Sequence, residues 1–124
     1  MRVIDSYGWI EYFTDGELAK KYATYIEDAN ESNTITPAIV IYEVYKRLKR
    51  ERGEQLALEA YAQLTRTKII PLDQDTALNA ADTSLAMGLA MADAIVYSTA
   101  KRHSAELITS DSDLKDLEGV RFIQ

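Results

Sequence analysis

Five short apolar runs, kept apart by longer amphipathic stretches, set the tightest limit on what this chain can fold into. They are RVID (residues 2–5), NTIT (33–36), TKIIPL (67–72), ELIT (106–109) and VRFI (120–123). Each is too short to be a helix and is rich enough in β-branched residues to be a buried strand. The segments between them carry helix signals. Ser6 is an expected cap for YGWIEYF, and Gly16 opens ELAKKYATYIEDA, with Leu18, Tyr22, Tyr25 and Ile26 near one face. Thr36 before Pro37 reads as an N-cap hydroxyl followed by proline at the first helical position, starting a helix that ends near Arg52 at Gly53. EQLALEAYAQLTR is a further helix, Asp73 caps QDTALNAADTSLAM, Gly88 breaks it, and Ala90–His103 forms the next. SDLKDL (112–117) is expected as a short last helix. Strands alternating with helices imply parallel pairing with helices on both faces of an α/β sheet. In such a fold ligands bind beyond the carboxyl ends of the strands. Asp5 and Asp111 both stand at such ends.

The 124 residues suit a single domain, and no linker or repeat interrupts them. With no cysteine, disulfide scaffolds and zinc–thiolate sites are excluded. No leader pattern is visible in MRVIDSYGWIEYF, and no run reaches the ~18 apolar residues of a membrane helix, so a cytoplasmic protein is expected. Twenty acids against fourteen bases give a net charge of −6, which argues against an ordinary nucleic-acid-binding module with a basic footprint. It does not argue against an enzyme whose acids hold cations.

Some acids stand where acids are costly. Glu43 is the only charge in AIVIYEVY, Asp93 the only charge in AMADAIVY, and Asp5 follows a buried strand directly. Asp111 follows ELIT, with Asp113 two residues on. A carboxylate in an apolar segment carries a large desolvation cost unless it is paired, protonated or bound to a metal. Each acid alone also has a structural reading: Asp5 as a turn residue, Asp111 as an N-cap, Glu43 as a surface acid beside Lys46 or Arg47, Asp93 as a first-turn acid favoured by the helix dipole. Brought together by a parallel sheet, they cannot all stay ionised unaided: either some are protonated or cations neutralise them. Oxygen-only ligands suit hard ions, magnesium or manganese, and the chemistry such a cluster supports is phosphodiester hydrolysis by water. No Ser–His or Cys–His pair is needed for that.

Other motifs fall away. DSDLKDLEGVRF has Asp116 and Phe122 where a calcium loop needs glycine and glutamate. There is no phosphate-binding glycine loop, and Asp5 is followed by Tyr7 rather than a second aspartate two residues on, as a haloacid-dehalogenase phosphatase would require. His103 reads as a helix-end residue. The basic run KRLKRER (46–52) reads as a solvated helix end or as a guide for a phosphodiester substrate.

The motifs VIDSYGWIEYF, TPAIVIYEVYK and MADAIVYSTAKRHSAELITSDSDL together resemble the PIN-domain family, and within it the toxin ribonucleases of VapBC toxin–antitoxin pairs. The resemblance covers the whole chain. It implies a three-layer fold with a five-stranded parallel sheet in the order 3-2-1-4-5 and helices on both faces. It implies that Asp5, Glu43, Asp93 and Asp111 are catalytic and hold magnesium or manganese, Asp5 most directly, with Asp113 a further acid and Ser6 and Thr109 supporting them. It further implies an RNA substrate, a homodimer and a small VapB-like antitoxin. Leu114 stands where many relatives have phenylalanine. Asp73 and Asp75 follow a strand but match no family position. A nuclease of RNA processing, and a scaffold whose acids are only structural, stay open as rivals.

Overall fold

The computed structural model describes all 124 residues. Strand β1 (Arg2–Ile4) is followed by α1 (Ser6–Phe13), α2 (Ala19–Ile26), β2 (Ile35–Pro37), α3 (Ala38–Arg52), α4 (Glu54–Leu64), β3 (Lys68–Ile70), α5 (Gln74–Met87), α6 (Met91–Arg102), β4 (Glu106–Thr109) and β5 (Val120–Phe122). The strands are parallel, as the alternation requires. They do not make one continuous sheet. A three-stranded sheet, β1-β4-β5, and a two-stranded sheet, β2-β3, meet only at a parallel bridge between Arg2 and Thr34. Where one five-stranded sheet is expected, the ladders fall into these two sheets. The strands are so short that β1 and β2 share one bridge and no ladder.

Adjacent residues of a strand point to opposite faces. In β1 both Val3 and Ile4 are buried, and in β4 Leu107, Ile108 and Thr109 all are, so both faces of that sheet are covered. Helix α3 buries Val40, Val44 and Leu48, a row four residues apart. Helix α6 is buried without a break from Ala94 to Ala100, which marks it as the central helix. Twenty-five buried apolar residues from every layer form one contiguous core. No helix is long and apolar enough to cross a membrane.

Several local expectations change. The cap of α1 is Asp5, whose side chain accepts from the Ser6 amide, and Ser6 is already helical. The cap of α3 is Pro37, not Thr36. The Thr36 hydroxyl instead meets the Thr67 hydroxyl at 2.6 Å, a buried bond that ties β2 to the start of β3. Helix α2 starts at Ala19, later than Gly16 predicts, and the Glu11 carboxylate accepts from the Leu18 amide ahead of it. The expected helix over SDLKDL shrinks to one 3-10 turn, Ser112–Leu114. Asp73 caps α5 through the Thr76 amide, and Gly88 ends α5 in the left-handed region at φ 70°, both as the local sequence predicts. Gly8 has a different constraint: a Cβ there would stand 2.4 Å from the Tyr22 ring.

Candidate metal centre

Parallel pairing of β1 with β4 sets Ile4 opposite Ile108, so Asp5 and Thr109 leave the sheet side by side. Thr109 is fully buried and joins two acids. Its hydroxyl donates to Asp5 Oδ2 at 2.8 Å, and its Oγ1 accepts from the Asp111 amide at 3.0 Å. The other Asp5 oxygen accepts from the Ser6 amide at 2.8 Å. Asp111 Oδ1 accepts from the Asp113 amide at 2.9 Å, which forms the 3-10 turn and aims Asp113 back toward Asp111. Asp93 enters from the first turn of α6, and Glu43 from the half-buried side of α3.

Asp5, Glu43, Asp93 and Asp111 line one cleft of about 510 Å³, together with Ser6, Ser110 and others. No lysine, arginine or histidine lines it. Carboxylate oxygens of Asp93, Asp111 and Asp113 lie within 4.8 Å of one another. That trio differs in emphasis from the resemblance, in which Asp5 is the most direct ligand. Asp5 is 5% exposed and already accepts a hydrogen bond on each oxygen, although each oxygen keeps a lone pair.

The electrostatics follow from crowding. Asp93 is pushed up to about 7, by burial first and then by the charges of Asp111 and Asp5. Burial, joined by these like charges, thus outweighs the helix dipole that would favour an ionised first-turn acid. Burial also raises Asp5 against the lowering effect of Thr109, and burial raises Glu43. Glu43 forms no ion pair with Lys46 or Arg47. Two groups near the cleft escaped sequence reasoning. Tyr22, pushed up to about 12 chiefly by burial, donates from its hydroxyl to Ser110 Oγ at 2.8 Å. Tyr7, 41% exposed, stands at the cleft wall. The only sequence signal for Ser110 is its position directly after a buried strand.

The donors are all hard oxygens, and a set of close carboxylates that holds a proton near neutrality is one a divalent cation would neutralise. The residues therefore fit a magnesium- or manganese-sized charge. The family model for the PIN domain matches residues 2–120. This chain belongs to the PIN-domain family. Among solved structures, a chain of a toxin–antitoxin complex from Klebsiella pneumoniae is 25% identical, with a TM-score of 0.81 over 98% of this chain and 96% of that one. VapC20 of Mycobacterium tuberculosis, a sarcin–ricin-loop-cleaving toxin, is 15% identical, with a TM-score of 0.74 over 93% and 92%. VapBC2 of Rickettsia felis, bound to a DNA fragment from its promoter, gives 11% identity and a TM-score of 0.75 over 99% and 98%. These last two share the PIN fold at identities too low to carry function. No curated protein gives a match.

Asp73 and Asp75 do not join the PIN-domain cleft. They lie at the start of α5, where the Arg102 guanidinium meets Asp73 at 3.2 Å and Asp75 at 3.9 Å.

Proposed function

We propose that this PIN domain, a single domain over residues 1–124, is a metal-dependent endoribonuclease and the toxin of a type II toxin–antitoxin pair. The observation that carries the reading is the cleft itself: four carboxylates from four segments, with no basic side chain among them and Asp93 holding its proton up to about 7. Asp93, Asp111 and Asp113 would hold the cation, with Asp5 and Glu43 completing the acidic wall. A bound magnesium or manganese ion supplies Lewis-acid stabilisation of charge on a phosphodiester. The chain's own part is positional. Thr109 and the Ser6 amide fix Asp5, and Thr109 also fixes the backbone of Asp111, so the acids do not reorganise when substrate arrives. RNA is chosen over DNA on the resemblance of VIDSYGWIEYF, TPAIVIYEVYK and MADAIVYSTAKRHSAELITSDSDL to the toxin ribonucleases. On that reading the protein works in the cytoplasm, where the RNA is. The two sheets are taken as one PIN-like array in the order 3-2-1-4-5, a reading supported by the Arg2–Thr34 bridge.

Two surfaces support the partners. Ile41, Tyr45, Leu58 and Tyr61 line an apolar groove of about 770 Å³ between α3 and α4, rimmed by Lys49 and Arg50, which suits an amphipathic antitoxin segment with acidic flanks. Leu78 and Leu85, two turns apart on α5, are 61% and 87% exposed, with Met87 and Met91 nearby, which suits a homodimer face. The likeness to a chain of a toxin–antitoxin complex favours the same assembly.

The test is cleavage of RNA by purified protein with magnesium or manganese, with chelator, and with Asp5→Asn alongside. Metal-dependent cleavage that the variant loses supports the enzyme. Intact folding with neither cleavage nor metal binding moves the chain to a scaffold role.

A further inference from the structure

A second cavity, of about 250 Å³, adjoins the acidic cleft and has no part in the proposed hydrolysis. Ser6, Tyr7 and Glu43 line both, so the two share a wall. Its remaining lining is largely basic: Lys46, Arg47 and Arg50. These stand three, four and seven residues beyond Glu43 on α3, hence on one helix face that begins at the acidic cleft and turns positive away from it.

These cations are weakly compensated. Lys46 has no carboxylate within ion-pair distance, and its ammonium donates to the Tyr42 hydroxyl at 3.1 Å. Arg47 and Arg50 share the one carboxylate of Glu51, at 3.4 and 3.6 Å. The helix dipole accounts for the cations of the last turn, Lys49, Arg50 and Arg52, but not for Lys46 and Arg47, which precede it. The Arg47 guanidinium lies 5.9 Å from the centroid of the Tyr7 ring, an exposed ring on the wall between the two cavities. In a chain of net charge −6, an anionic polymer entering a cleft of carboxylates needs attraction close by, and this face provides it.

We propose that the basic cavity is a subsite for the RNA backbone phosphate next to the scissile one, held by Lys46, Arg47 and Arg50, with Tyr7 as the stacking platform for the base between them. This assignment rests on the endoribonuclease reading for its register. The subsite's chemistry, cations beside an exposed aromatic ring, is that of single-stranded nucleic-acid grooves.

The experiment has two arms. Binding of a fluorescein-labelled single-stranded oligoribonucleotide of about twelve nucleotides is followed by anisotropy on Asp5→Asn protein, across a salt series. Steady-state cleavage is measured with Asp5 intact. Arg47→Ala/Arg50→Ala is expected to weaken binding roughly tenfold and to reduce the salt slope by about 0.7 for each phosphate that the protein no longer neutralises. In cleavage it raises KM by a similar factor while kcat stays within about twofold, because uniform binding is removed. Tyr7→Ala weakens binding about fivefold or more, and Tyr7→Phe restores it. Arg66→Ala, which lines neither cavity, serves as the charge control and leaves both readouts unchanged. Unaltered binding and KM in the double variant, or an equal loss in Arg66→Ala, overturns the subsite. Cleavage by the unmodified protein that survives the double variant intact rejects the subsite and keeps the hydrolysis. RNA binding that depends on Arg47 and Arg50 without any cleavage leaves the basic cavity a phosphate site but rejects the hydrolysis and, with it, the register beside a scissile phosphate. Absence of both overturns both.

Discussion

Two places in this molecule look alike in sequence and differ in physics. Asp111 and Asp113 follow strand β4, and Asp73 and Asp75 follow strand β3, each pair separated by a single residue and each beginning with a cap. After β3 the acids are exposed, Asp73 accepts from the Thr76 amide, and Arg102 from α6 neutralises the pair. Asp73 is accordingly lowered, chiefly by Thr76 and further by Arg102. After β4, Asp111 lines one cleft with Asp93, Asp5 and Glu43, Asp113 joins Asp93 and Asp111, no basic side chain lines that cleft, and Asp93 rises to about 7. A cap motif is thus neutral information. What separates a site from a helix start is which distant side chains arrive to face it.

The largest expected effect comes from the direct exchange. Asp111→Asn lowers RNA cleavage by more than about 100-fold, whereas Asp73→Asn leaves kcat/KM within about twofold and only lowers the melting temperature modestly. Equal losses in the two variants would break the comparison. Next, Thr109→Val removes the one hydroxyl that serves both Asp5 and Asp111. It is expected to lower activity by roughly 10- to 100-fold and stability by about 1–3 kcal/mol, read by denaturant unfolding with a folded far-ultraviolet spectrum retained.

The two regions also differ in the sign of their pH dependence. Asp93 has a folded-state pKa raised from 3.8 to about 7. Its contribution to stability is complete below pH 3.8 and is lost as pH rises toward 7, so the metal-free protein loses stability over that window. Asp73 is lowered, so its contribution is present above pH 3.8 and is lost as pH falls below that value. Unfolding followed across pH in chelator therefore shows the loss toward neutrality shrink in Asp93→Asn, where the raised Asp5 and Glu43 still contribute, and persist in full in Asp73→Asn. The smallest effect is expected for Tyr22→Phe, which removes the bond to Ser110 beneath the acidic cleft and costs about 1 kcal/mol.

Much of this was legible because it is local. The strand–helix alternation, the Asp73 cap, and the breaks at Gly53 and Gly88 depend on a few neighbouring residues, and φ values of 102° and 70° at the two glycines are what only glycine adopts easily. What was not legible depended on distant partners. Thr36 has the right chemistry for a cap, but Thr67 takes its hydroxyl. SDLKDL has the composition of a helix, yet Asp111 bonds the amide two residues on, Leu114 is buried, and the chain must reach β5 at Val120. The single bridge between β1 and β2, which splits the sheet, depends on where two helices set the strands down. For the acids, sequence drew attention to Asp5, Glu43 and Asp93 because each interrupts or ends an apolar run. The family resemblance pointed to Ser6 and Thr109 as supports, but not to their each holding one Asp5 oxygen, nor to Asp93, Asp111 and Asp113 as the tightest group.

The claim that the β4 acids form a cation site and the β3 acids do not is tested most directly by thermal unfolding against manganese concentration. Three proteins are compared: the unmodified chain, Asp93→Asn and Asp73→Asn. A ligand that binds only the folded state stabilises it by about 2.7 kcal/mol at a hundredfold excess over its dissociation constant. The account predicts a saturable rise in melting temperature for the unmodified chain and for Asp73→Asn, and none for Asp93→Asn. An equal rise in all three, or none in any, would contradict it.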